Sequence, residues 1–162
     1  HAEGGGDVID EEPAKHVINL PEGSWGEGGY HSVWLNDDNF WTWKKLYPAE
    51  RRFLAMVKEL GDGPAKEIVI QCGRELLLAE ASDWQFLIST WSARDYAEAR
   101  FGDHIERFER LAELAESVHS GKVMTEEESE FLAECQEKDA PFPNLDLSFW
   151  KPRLENTTVP MH

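Results

Sequence analysis

Two tryptophans nine residues apart, Trp25 and Trp34, stand in the densest chemical cluster of the chain, residues 21–36 (PEGSWGEGGYHSVWLN). Its glycines let the backbone take positive φ and approach a ligand closely. Indoles held in such a loop are costly to leave in water, so they must pack inward, face a partner domain or face a ligand. A sugar ring offers an apolar C–H face that an indole can cover. Its hydroxyls then need fixed polar groups such as Asp, Glu, His or backbone amides. Glu22, Glu27 and His31 lie in the same cluster. The residues alone leave two readings of Trp25 and Trp34 open: a ligand platform, or core anchors beneath a loop.

A second cluster is residues 74–84 (RELLLAEASDW). It joins one apolar helix to the next, with Asp83 at the start of the second, where a helix dipole favours a carboxylate. Ser82 and Asp83 serve equally well as plain capping residues. Hydrolysis by a carboxylate pair needs two groups about 5–5.5 Å apart in a retaining enzyme. Glu22, Glu27, Glu75, Glu80 and Asp83 are candidates, yet the chain has 32 acidic residues, so some must fall together by chance. No specific acid pair stands out. His31 and His104 could act as bases or ligands, but a lone histidine on a helix face is more often a hydrogen-bonded core residue. No metal spacing is present. Asn156-Thr157-Thr158 fits a glycosylation pattern, a weak signal.

These residues need a scaffold, and the 162-residue chain is long enough for one domain with a core. Apolar residues are 41% and charged residues 30%, an ordinary globular balance. The formal charge of −16 repels a phosphate backbone and an anionic membrane surface. A neutral polymer meets no such barrier. No apolar run approaches the roughly 20 residues of a membrane span. Cys72 and Cys135 form no disulfide framework, and Cys72 reads as a small buried hydrophobe. The first residue is His, not Met, which suggests a fragment, a processed product or a tag remnant.

The expected fold is all-α, a bundle of about five or six helices. Residues 1–35 read as an irregular loop region punctuated by Gly and Pro, with a short extended piece possible at 16–20. Residues 36–139 read as the helical domain, and 140–162 as an extended tail packing on it. Asn36 or Asp37 can cap a first helix. Pro48 should kink that helix or open a second one, which stops at Gly61. An apolar helix follows Pro64, and Ser82 can cap the next, whose stripe is Trp84, Leu87, Ile88 and Trp91. A long helix from about Ala93 turns Tyr96, Phe101, His104 and Phe108 inward. Thr125 and Glu128 form a capping box for the last helix.

Four segments carry a resemblance: 20–36, 74–89 (RELLLAEASDWQFLIS), 95–111 (DYAEARFGDHIERFERL) and 139–147 (DAPFPNLDL). Together they resemble the C-terminal helical domain of family 57 glycoside hydrolases of the 1,4-α-glucan branching type, from about residue 16 to 150. The resemblance implies a distorted (β/α) barrel elsewhere in the protein, holding a glutamate nucleophile and an aspartate acid/base. That barrel would transfer α-1,4-glucan to an α-1,6 branch with retention and with no metal or organic cofactor. The catalytic pair should lie upstream of residue 1, since nothing in this chain matches it. The implied glucan contacts are Trp25 of the GSWGE motif, Trp34, and Asp83 and Trp84 of the SDW motif. The implied partners are an α-1,4-glucan and the enzyme's own barrel, in a cytoplasmic setting. Two positions depart from the family pattern: Trp91 replaces a small residue, and Pro48 interrupts a helix. The competing readings are a free-standing, non-catalytic glucan-binding module, an α-1,4-glucan hydrolase of the same family, and an aromatic loop that is only an interface for the barrel.

Overall fold

The computed structural model describes residues 19–151, apart from the side chain of Glu27. The glycosylation pattern at 156–158 and most of the extended piece at 16–20 lie outside these residues. The chain divides into two compact units, one ending at His31 and the other beginning at Ser32. All regular structure among the described residues is helical, as the periodicity predicts. The helices are α1 (Phe40–Leu60), α2 (Lys66–Ala79), α3 (Asp83–Thr90), α4 (Arg94–His119) and α5 (Glu126–Lys138). Short 3-10 turns occupy Glu27–Gly29 and Leu147–Phe149.

Within the larger unit, α4 packs against α1, α2 and α3. Phe101, Phe108, Leu111 and Ala115 on α4 are fully buried, as are Phe53 and Val57 on α1 and Val69 and Cys72 on α2. Each large apolar side chain removed from water in this way contributes about 1.5–3 kcal/mol before entropy is counted. The capping box forms as the sequence predicts. The Glu128 amide donates to Thr125 Oγ1 (3.2 Å), and the Thr125 amide donates to Glu128 Oε2 (2.7 Å).

Three local expectations are corrected. α1 is a single 21-residue helix running through Pro48. Pro48 is exposed, so the Lys44 carbonyl that loses its donor lies on the solvent side and the helix need not end. Trp91 is not part of the α3 stripe. It follows the helix in the left-handed region (φ 56°), and the buried α3 positions are Gln85 and Ile88. Tyr96 is 58% exposed and does not join the inward face of α4.

The tail closes the bundle. Leu147 is buried, and Trp150 meets Phe53 edge-on at 5.2 Å. Room for this comes from Gly73, where a Cβ would lie 2.9 Å from the Phe53 ring and 3.1 Å from Leu145.

Candidate functional site

The segment leading into α1 is held by side chains rather than by regular structure. Asn36 Oδ1 accepts from the amides of Asp38 (2.9 Å) and Asn39 (3.2 Å), the local turn that a short amide side chain offers. Asn36 Nδ2 donates to Ser89 Oγ at 2.8 Å, and Asn39 Nδ2 does so at 2.9 Å. Ser89 in turn donates to the Val33 carbonyl at 2.6 Å. Residues 33–39 therefore lie along α3, tied near its C-terminal end. Two indoles finish the attachment. Trp43 Nε1 donates to the Trp34 carbonyl (2.7 Å), and Trp34 Nε1 donates to the Ser82 carbonyl (3.2 Å) at the other end of α3.

Trp34 is half-buried, with its ring 6.5 Å from Phe86 and tilted by 39°. Its N–H is used to hold position. Asp83 follows the residue that Trp34 grips. It is exposed in the first turn of α3, and among the described residues its carboxylate makes no hydrogen bond. The structure thus brings Trp34 and Asp83 together at one helix end.

Trp84 points elsewhere. Its Nε1 donates to the Leu78 carbonyl at 2.7 Å, and its ring packs 6.3 Å from Tyr96 and 6.4 Å from His104, against the core. Trp25 belongs to the smaller unit. There the Ser24 amide donates to the Gly29 carbonyl (3.0 Å), and the His31 amide donates to Ser24 Oγ (2.8 Å). Gly26, Gly28, Gly29 and His31 all take positive φ, which accounts for the glycine density. The loop presents Trp25 at 71% exposure. His31 Nε2 lies 3.2 Å from Glu22.

The acidic candidates separate. Glu75 is fully buried. Glu80 borders a hollow of about 410 Å3 shared with Glu50, Phe53 and Trp150. Its carboxyl is pushed up to about 7, first by loss of water and then by repulsion from Glu50.

Sequence reasoning missed a buried polar network. Gln71 Nε2 donates to Glu75 Oε1 (3.1 Å) and to the carbonyls of Cys135 and Asp139. His104 Nδ1 lies 2.8 Å from Glu75 Oε2, and its Nε2 lies 3.1 Å from Arg100. A guanidinium can only donate, so Nε2 accepts and Nδ1 carries the proton that is given to Glu75. Arg107 pairs with Asp139, and Arg100 lies 3.9 Å from it. Arg100, His104 and Arg107 recur at helical spacing on the α4 face turned to the core, the one signal that could have revealed the network. Glu75, His104 and Asp139 bring ligand atoms within 4.8 Å of one another. Two guanidiniums already balance the two carboxylates, so a divalent ion there would add uncompensated buried charge. Burial raises both thiols, Cys135 to about 11, and both cysteines are free.

Comparison with known proteins decides the family. Residues 45–150 match the family described as 1,4-alpha-glucan branching enzyme, C-terminal. The chain is a C-terminal helical domain of the family 57 branching enzymes. It is 45% identical over 131 residues to the 1,4-alpha-glucan branching enzyme TK1436 of Thermococcus kodakarensis, covering 79% of this chain and 19% of that protein. It is 30% identical over 105 residues to a probable 1,4-alpha-glucan branching enzyme of Mycobacterium tuberculosis, covering 59% of this chain and 20% of the relative. The domain thus spans about a fifth of the length of these relatives. The crystal structure of the GH57-type branching enzyme from Pyrococcus horikoshii superposes with a TM-score of 0.77 at 36% identity, over 90% of this chain and 27% of that one. The structure of TK1436 in complex with glucose and additives gives 0.76 at 38% identity, over 89% and 26%. No described helix is long and apolar enough to cross a membrane.

Proposed function

We propose that this domain completes the glucan-binding cleft of a 1,4-α-glucan branching enzyme whose catalytic barrel lies in another part of the protein. The observation that carries the reading is the attachment of Trp34 to the Ser82 carbonyl beside the exposed Asp83. An aromatic ring fixed by its own N–H, with an unengaged carboxylate next to it, is what a neutral sugar chain needs. The ring covers the C–H face, and the carboxylate accepts from hydroxyls. Trp25, an exposed indole of the smaller unit, is a separate proposed glucan contact. Trp84 supports the site from behind, because its own N–H is committed to Leu78.

In the assembled enzyme, a glutamate of the barrel attacks the anomeric carbon and an aspartate protonates the departing oxygen. The resulting glycosyl-enzyme intermediate must then meet a glucan hydroxyl before it meets water. Aromatic surfaces in the cleft bind the acceptor chain and exclude solvent, favouring transfer over hydrolysis. The free cysteines suit a reducing compartment, in keeping with a cytoplasmic enzyme.

The test is the ratio of branching to hydrolysis in the enzyme that contains this domain. Trp34→Ala should lower that ratio while leaving the melting temperature of the barrel in place. A ratio equal to that of the parent would count against the cleft role.

A further inference from the structure

We propose that Trp91, with Tyr96, forms an additional stacking subsite for a glucan strand, at the opposite end of α3 from Asp83. The proposal rests on the reading above that the ligand is an α-1,4-glucan. It concerns Trp91, which lies outside the four segments that carry the resemblance, and Tyr96, which is not among the implied glucan contacts.

Trp91 is 67% exposed and follows α3 with φ 56° and ψ 16°. A bulky residue rarely takes that conformation, and glycine is the usual occupant. The ring is nevertheless held in a fixed place. The Arg94 guanidinium lies 4.3 Å from its centre, within range of a cation–π contact. That guanidinium is pinned in turn by Asp38 (2.9 Å) and Glu98 (2.7 Å). Indole and guanidinium border a hollow of about 350 Å3 completed by Ala93, Asp95 and Tyr96. Asp95 and the Tyr96 phenol supply polar atoms beside the two exposed rings. An aromatic pair with a carboxylate and a phenol at its edge matches a sugar ring, with its apolar face and its rim of hydroxyls.

The occupant follows from continuity and charge. Residues 34–38 run along α3 from Ser82, gripped by Trp34, to Arg94, paired with Asp38. The eight residues of α3 span about 12 Å, longer than a single sugar ring. A linear glucan lying on Trp34 thus has a second aromatic stop within reach. The net charge of −16 disfavours a polyanion and leaves a neutral polymer unaffected.

Calorimetric titration of the 162-residue chain with maltotriose and maltoheptaose tests this. The parent should bind the longer sugar more tightly. Trp91→Gly should lower maltoheptaose affinity by about tenfold with little change for maltotriose, and with a melting temperature equal to or above that of the parent, because glycine suits the left-handed position. Trp91→Phe, which keeps a ring, should restore most of the affinity. Parent-like binding of maltoheptaose by Trp91→Gly overturns the subsite, and Trp34→Ala in the same series then shows whether the Trp34 reading survives without it. A fall in melting temperature that tracks the fall in affinity would mark Trp91 as structural and also overturn it. So would a parent chain that binds neither sugar, since the subsite needs only residues of this chain. The cleft role of Trp34 would in that case still be decided by the branching ratio of the longer enzyme.

Discussion

Two polar regions of the same fold differ in how they are finished. Inside the bundle, Gln71, Glu75, His104, Arg107 and Asp139 satisfy one another almost completely and are shielded from water. Along α3, Asn36, Asn39 and Ser89 are just as carefully paired, yet Trp34, Asp83 and Trp91 are left facing outward or half outward. A closed network specifies packing. Along α3 the same kind of bonding fixes the segment before α1 to a helix whose ends carry exposed side chains.

The sharpest way to break this comparison is to open the closed network. Glu75→Leu removes the acceptor of His104 and one of the three acceptors of Gln71 Nε2, and leaves Asp139 as the buried carboxylate beside Arg100 and Arg107. Loss of one partner from a buried ionic group costs about 3–5 kcal/mol. Chemical denaturation should show a fall of that size while glucan affinity per folded molecule stays the same. Unchanged stability would mean that the network is not a packing device. Gly73→Ala comes next. Alanine gains about 1 kcal/mol of helix propensity, but its methyl must displace the Phe53 ring or Leu145, and such overpacking costs about 1–3 kcal/mol. A net loss of up to about 2 kcal/mol in thermal denaturation is expected, again with no effect on sugar binding.

On the outward side, Trp34→Phe keeps a ring and removes the N–H that reaches Ser82. Stability should fall by about 1 kcal/mol, and glucan affinity should weaken more than that ring's area alone would dictate. An affinity equal to the parent's would show that the ring needs no anchoring.

The smallest effect concerns pH. Glu80 has its carboxyl raised to about 7 in the fold by burial and by Glu50, so the folded state retains a proton that the unfolded chain has released. The stability from this group is full below the ordinary carboxylate range and is lost as pH rises toward 7 and above. Glu80→Gln should flatten that decline, measured as melting temperature from pH 5 to pH 8, with the variant gaining on the parent progressively up to about pH 7 and holding the gain above it. A parallel decline in both proteins would remove Glu80 as its source.

Much of this was readable in the sequence because local signals act locally. Helical periodicity, the Thr125–Glu128 box and the start of α3 at Asp83 required no knowledge of neighbours, although Ser82 makes no side-chain capping bond there. The same holds for the glycine-rich loop around Trp25, whose positive φ values explain its composition. Of the two outcomes expected at Pro48, a second helix is excluded because α1 runs through it, and the cost of such a proline depends on which side of the helix faces water. Trp91 and Tyr96 were placed inward because aromatic type and spacing suggest a stripe, whereas a left-handed helix end turned one outward and the N-terminus of α4 exposed the other. The buried network was illegible in one strand of sequence, since Gln71, Glu75, His104 and Asp139 come from two helices and the residue that follows a third. Trp84 neighbours Asp83 in sequence, but its indole N–H and ring pack against Leu78, Tyr96 and His104.

The tail carries a consequence for how the domain is made. Phe53 on α1 and Gly73 on α2 present a face that is covered by Leu145, Leu147 and Trp150. On the ribosome those helices emerge well before the segment that covers them. Until residue 150 has been synthesised, an aromatic slot stays open on the nascent chain, and a stalled or truncated product would expose it to chaperones and to other copies of itself.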